Sequence, residues 1–267
     1  MAMLQALSND RIRAVAPSVF AEQPHESRSE RYVYIPTVQI VDAMRAEGFY
    51  PVAVAQSRSR IEGKSEFTKH MIRFRRENVP ATARAVGDVL TETVLVNSHD
   101  GTSSYHLMSG LFRLACLNGM IAKLTDLGDI KVPHSGKIID RVIEGSYRVI
   151  DHSAKALERA TEWTGVTLAQ PEIRAYAQAA AALRFDPEQQ PVNAERMIEP
   201  RRYADRSNDL FTVMNRAQEA LIRGGSRYRS PEGRRQSARA VGSIDKNVSL
   251  NQALWTLTEE MAKLKAA

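Results

Sequence analysis

Eleven arginines and no lysine fall between Arg196 and Arg239, against five acids. A second basic tract, Arg58, Arg60, Lys64, Lys69, Arg73, Arg75 and Arg76, faces only Glu62 and Glu66. Guanidinium presents a planar fork of donors that matches phosphate oxygens and stacks on bases, so this bias points to phosphate or base contact. Solvated faces and a surface loop would also account for such charges, which makes their placement decisive.

Other chemistries find less support. The six histidines, His25, His70, His99, His106, His134 and His152, include no pair at helical metal-ligand spacing. Cys116 is the single thiol and sits in an apolar setting that keeps it inert, and a closed zinc site needs about four ligands. No metal and no cofactor is therefore expected. No Gly-x-Ser-x-Gly elbow and no phosphate loop ending in Lys-Ser or Lys-Thr occurs. Glu62-Gly63-Lys64 has the Glu-x-Lys spacing of metal-dependent nucleases, but it falls in a turn and lacks an upstream acid on a neighbouring strand. His99-Asp100 precedes Gly101 and reads as a hairpin turn, with His99 and His106 able to approach each other across it.

These residues need elements to position them. The 267 residues, 43% hydrophobic and 25% charged, suffice for one or two domains. No run approaches the roughly 18 apolar residues of a membrane span, and Met1 to Arg13 lacks the apolar core of a signal peptide. A cytoplasmic protein is the expectation. Net charge is +6, from 37 Lys and Arg against 31 Asp and Glu, which fits an acidic partner.

Residues 1–30 read as a flexible N-terminal arm and Tyr32 to Ile35 as a short strand. Thr37 can cap a helix reaching Gly48. Alternation predicts strands at Phe49 to Ser57, with Tyr50, Val52 and Val54 on one face, and at Phe67 to Arg75, with Arg73 and Arg75 on one face. A Val/Thr-rich strand, Thr91 to Asn97, turns at Asp100-Gly101 into a return strand, Ser103 to Met108. Leu111 to Lys123 is apolar and suits helix or strand. Helical spacing then runs from Ile139 to Trp163. Further helices are predicted at Pro171 to Leu183, Leu210 to Leu221 and Leu250 to Leu264, with a loop from Asp186 to Pro200. Strands followed by helices indicate an α+β fold. A sheet-plus-helix core is assigned to residues 31–165, and a helical region with an Arg-rich mobile loop at 226–240 to residues 166–267.

The tracts Asn97 to Gly101, Leu111 to Gly119, Asp209 to Glu219 with Gly224-Gly225, and Leu250 to Trp255 resemble a phage- and plasmid-encoded family, domain of unknown function 932. That resemblance implies a mobile-element protein and no activity. Tyr34-Ile35, the following helix, Gly48-Phe49-Tyr50 and three strands with a hairpin at Asp100-Gly101 also resemble the Rad-fifty-two type of single-strand annealing core. There a curved antiparallel sheet packs on a long helix, subunits form rings, and DNA lies in a basic groove between hairpins and helix. By position this implies groove roles for Arg73, Arg75, Arg76, Lys137 and Arg141.

The combined reading is a single-stranded-DNA-binding and annealing protein, acting as a homo-oligomer, with Arg58, Arg60, Lys64, Lys69, Arg73, Arg75, Arg76, Arg113, Lys137 and Arg141 as the contact set. Reversal of Arg73, Arg75 and Arg76 to Glu is expected to abolish binding and leave the fold intact. A protein-binding anti-defence factor acting on a host protein is the alternative, followed by the metal-dependent nuclease.

Overall fold

The computed structural model describes residues 6–27, 34, 36–59, 61, 63–76, 89–113, 118–121, 130–132, 137–185, 193–229 and 233–267. The architecture is α+β. Five strands form an antiparallel path in chain order: β1 (Phe49–Gln56), β2 (His70–Arg76), β3 (Val89–Asn97), β4 (Tyr105–Arg113) and β5 (Asn118–Ile121). β6 (Ile130–Val132) joins the same edge of β4 as β5, against Tyr105 to Leu107.

The strands form where period-2 patterning and β-branched residues predict them. Between Pro51 and Ala53 the register of β1 slips by one residue, a bulge. The slip moves the face: Phe49 and Val54, not Tyr50 and Val54, pack into the core with Ile72 and Phe74. Gly101 closes the β3–β4 turn at φ +75°, a conformation that glycine adopts without strain. β3 is buried on both faces over Glu92 to Asn97, which explains its continuous apolar run. The ambiguous tract after it divides between the end of β4 and β5, with residues 114–117 and 122–123 outside the described set.

α1 (Asn9–Val15) and α2 (Thr37–Ala46) cover one face of the sheet beside α3 (Ile138–Thr164). At about 1.5 Å per residue, the 27 residues of α3 span roughly 40 Å. Val142 and Val149 of α3 enter the sheet core with Ile40, Met44, Leu95 and Leu107. Ala156, Ala160 and Trp163 enter a second, helical core built with α4 (Gln170–Ala182), α5 (Ala194–Met197), α6 (Leu210–Arg223) and α7 (Ile244–Ala266). Helix and sheet meet closely at Gly145, where a Cβ would lie 2.7 Å from Leu107 Cδ1. On the opposite face of the sheet, Ile244 of α7 closes over Val94, Val96, Met108 and Ile121.

Four expectations change. The N-terminal arm is packed: Ile12, Ala16 and Val19 are fully buried, because α1 and the following 3-10 turn (Pro17–Phe20) present a small apolar face to α2 and β1. Thr37 does not cap α2; Pro36 holds the cap position and the Thr37 hydroxyl turns into the core. The stretch expected as a mobile loop holds a two-stranded ribbon, β7 (Arg227–Arg229) with β8 (Arg235–Ser237), and the Asp186 to Pro200 stretch contains α5. Of the strand expected at Tyr32 to Ile35, Tyr34 alone is described; its hydroxyl donates to the Ala21 carbonyl. No helix of the described residues is long and apolar enough to cross a membrane.

Candidate nucleic-acid interface

Alternation along β2 separates the predicted cations. His70, Ile72, Phe74 and Arg76 face α3; Met71, Arg73 and Arg75 face the other way. On that second face they meet Glu92 of β3, whose side chain is 1% exposed. Arg73 Nε donates to Glu92 Oε2 at 2.5 Å and Arg75 Nη2 donates to Glu92 Oε1 at 2.7 Å. One carboxylate thus bridges two guanidinium groups, and the three charges sit largely out of water. Arg76 stands apart, its guanidinium 5.7 Å from the Phe49 ring centroid and 5.3 Å from that of Tyr147. The Tyr147 hydroxyl in turn donates to Glu47 Oε2 at 2.5 Å.

Other members of the predicted contact set are likewise engaged inside the fold. Lys64 lies 3.4 Å from Asp100 Oδ2, joining the β1–β2 loop to the β3–β4 turn. Burial pushes the Asp100 carboxyl up, but hydrogen bonds from the Thr102 hydroxyl and amide, from Ser98 and from Lys64 outweigh it and hold the group below the usual range. Lys69 donates to both oxygens of Asp245, at 2.7 and 2.8 Å, tying β2 to the start of α7. Arg113 is 8% exposed and donates to Asp205 Oδ1 at 2.8 Å and to the Ala204 carbonyl at 2.9 Å. Arg58 is exposed in the loop after β1; Lys137 and Arg141 are exposed at the start of α3. Arg60 lies outside the described residues, as does Glu62 of the Glu-x-Lys triplet.

The nine described members of the set therefore do not form one continuous basic track. Five of them, Lys64, Lys69, Arg73, Arg75 and Arg113, hold carboxylates that fasten one part of the fold to another. The expectation that Arg73, Arg75 and Arg76 can all become Glu with the fold intact is overturned. That change would set two new carboxylates against the buried Glu92, an uncompensated cluster of like charge. The solvent face of α3 is mixed as well: Lys137, Arg141, Arg148, Lys155 and Arg159 alternate with Asp140, Glu144, Asp151, Glu158 and Glu162.

The histidines form an element that the sequence reading missed. The His99 ring lies 5.3 Å from that of His70, and the Thr37 hydroxyl stands between them, 3.0 Å from Nε2 of each. Asn97 Nδ2 donates to the same hydroxyl at 3.1 Å. Ser18 Oγ is 2.9 Å from His70 Nδ1, the spacing of a nucleophile and its base, but both residues are fully buried. The cluster joins the N-terminal segment, α2, β2 and the β3–β4 turn. Among the described residues no group of three or more His, Cys, Asp or Glu could hold a metal ion.

Burial, and after it the neighbouring His99, lower the His70 pKa to about 3, against a small opposing effect of the Thr68 carbonyl. The unfolded chain, near the ordinary 6.5, takes up a proton that the folded chain refuses. Stability from this group is complete above about pH 6.5 and falls on acidification by up to about 1.4 kcal/mol per pH unit until about pH 3. Urea unfolding at about pH 7.5 and pH 5.0 should show a loss of about 2 kcal/mol, diminished in His70→Gln. A wild-type midpoint unchanged between those two pH values would contradict the buried neutral ring.

A family model described as Domain of unknown function (DUF932) matches residues 24–255. The chain is 43% identical over 255 residues to the UPF0380 protein YafZ of Escherichia coli (strain K12), which covers 96% of this chain and 91% of that protein. It is 42% identical over 255 residues, with the same coverage, to the UPF0380 protein YfjQ of the same strain. No solved structure matches the chain.

Proposed function

From the premise that the chain belongs to the DUF932 family, whose description assigns no activity, we propose that it is a single-stranded-DNA-binding and annealing protein of a mobile element. It acts in the cytoplasm as a homo-oligomer, without metal or nucleotide. The observation that carries this reading is an antiparallel sheet of hairpins backed by the 27-residue α3, in a chain of net charge +6. This is the architecture that the annealing resemblance implies. In the proposed mechanism arginines hold the sugar–phosphate backbone while the bases stay exposed, and base pairing supplies the energy of annealing. No bond is made or broken, so the protein needs no catalytic residue.

Because internal ion pairs engage five of the ten expected contacts, fewer phosphates are neutralised than the sequence suggests. About three to five contacts predict a log–log salt slope of about −2 to −3.5 on single strands, at roughly 0.7 per contact. Fluorescence anisotropy with labelled single-stranded and duplex DNA at about 50 mM and about 200 mM salt reads this directly. Light scattering on the same sample reads the assembly. Salt-sensitive preference for single strands by an oligomer is the expected result. Affinity independent of salt, or a monomer, contradicts the proposed mechanism.

A further inference from the structure

The β7–β8 ribbon gathers four exposed arginines within thirteen residues of sequence. Arg227, Arg234, Arg235 and Arg239 are exposed, and none forms an ion pair among the described residues. This contrasts with the cations of the sheet, several of which are used to fasten the fold.

The ribbon has a fixed base. Gly225 N–H donates to the Ala238 carbonyl at 2.8 Å, Ala238 N–H to the Ser226 carbonyl at 2.9 Å, and Val241 N–H to the Ile222 carbonyl at 2.8 Å. The Arg184 guanidinium reaches over from the end of α4 to the carbonyls of Leu221 and Arg239. Tyr228 packs against the helical core and its hydroxyl donates to Gln236 Oε1 at 2.8 Å. Tyr228 is thereby turned to the protein, while Gln236 stays exposed. The alternate positions, Arg227 on β7 and Arg235 and Ser237 on β8, share the other side.

Alternate residues on a strand stand about 6.7 Å apart, a repeat suited to successive phosphates of an extended chain. The uniform use of arginine favours forked contacts to phosphate oxygens over a diffuse attraction.

We propose that the β7–β8 ribbon is the element that grips the sugar–phosphate backbone, with Arg227, Arg234, Arg235 and Arg239 as its contacts. This rests on the nucleic-acid reading above and relocates its principal site from the sheet hairpins to the C-terminal half. The ribbon's rigid base then orients the bound strand relative to the helical core.

The test uses the full chain carrying Arg227→Gln, Arg234→Gln and Arg235→Gln together, all at exposed positions. Against a labelled single strand, affinity should fall at least about tenfold and the salt slope should become shallower by about 2, three contacts at roughly 0.7 each. Melting temperature and oligomer size should match the parent. A comparison variant, Arg148→Gln with Lys155→Gln on α3, should bind as the parent does. If the parent binds and the ribbon variant binds within twofold of it, the ribbon assignment is wrong and the nucleic-acid reading survives. If the parent binds neither single strands nor duplex at low salt, both fall. Binding of polyglutamate but not DNA, lost in the ribbon variant, would replace the nucleic acid with an acidic protein partner and overturn the inference.

Discussion

Glu92→Ala is expected to destabilise the fold by about 3–5 kcal/mol, since removing one partner of a buried ionic group leaves uncompensated charge behind. Two guanidinium groups donate to this carboxylate, and their side chains are only 15% and 18% exposed. Neither can turn fully into water without leaving the sheet face on which Val94, Val96 and Met108 pack. Chemical denaturation of the single variant against the parent measures the loss. Replacing the whole triad with apolar residues of similar volume, Arg73→Met, Glu92→Leu and Arg75→Met, should recover most of it, because the desolvation cost disappears along with the attraction. The two variants together separate structure from function. A folded apolar triad that still binds DNA makes the triad a fastening of the sheet. A folded apolar triad that has lost binding returns the site to the sheet face. A loss below about 1 kcal/mol in Glu92→Ala would mean that water screens the triad as it does surface pairs.

Gly224→Ala is expected to be nearly as damaging, for a backbone reason. Gly224 ends α6 at φ +74° and ψ −146°, a region open essentially to glycine. A Cβ there would lie 2.3 Å from the Ala238 carbonyl oxygen and 2.7 Å from the Arg239 carbonyl carbon. Both contacts are with backbone that anchors the ribbon, so neither can swing aside as a side-chain tip would. Conformational strain of about 1–3 kcal/mol adds to the cost of moving the β8 end. A total near 3 kcal/mol lowers the melting temperature by roughly 6–12 °C in a chain of this size. Gly225→Ala is the matched comparison: its φ is +84°, but nothing lies within 4 Å of an added Cβ, so only the strain remains. Equal melting temperatures for the two variants would show that the close approach to Ala238 is not a constraint. If the ribbon carries the DNA contacts, Gly224→Ala should also weaken binding more than Gly225→Ala.

The elements were largely legible because their signals are local. Period-2 runs marked β1 and β2, a Val/Thr-rich run marked β3, Asp100-Gly101 marked the turn, and helical spacing from Ile139 to Trp163 marked α3 almost to its ends. The sequence-level α+β assignment follows from the same order of strands and helices. The bulge near Val52 was not legible, since a one-residue slip in pairing leaves no trace in composition and yet changes which side chains face the core. Short amphipathic pieces such as α1 and the ribbon also escaped, having too few residues to establish a period.

By itself, the sequence determined the supply of charge, the surplus of arginine, the succession of strands and helices, and kinship to the family. Tertiary structure alone decided which of those charges remain at the surface. Arg113 meets Asp205, 92 residues away, and Lys69 meets Asp245, 176 residues away. Arg76 differs from Arg75 by one residue but points to the opposite side of the sheet. A cation's role depends on the carboxylate that folding brings within a few ångströms and on how much water is left around the pair. Neither quantity is a function of neighbouring sequence.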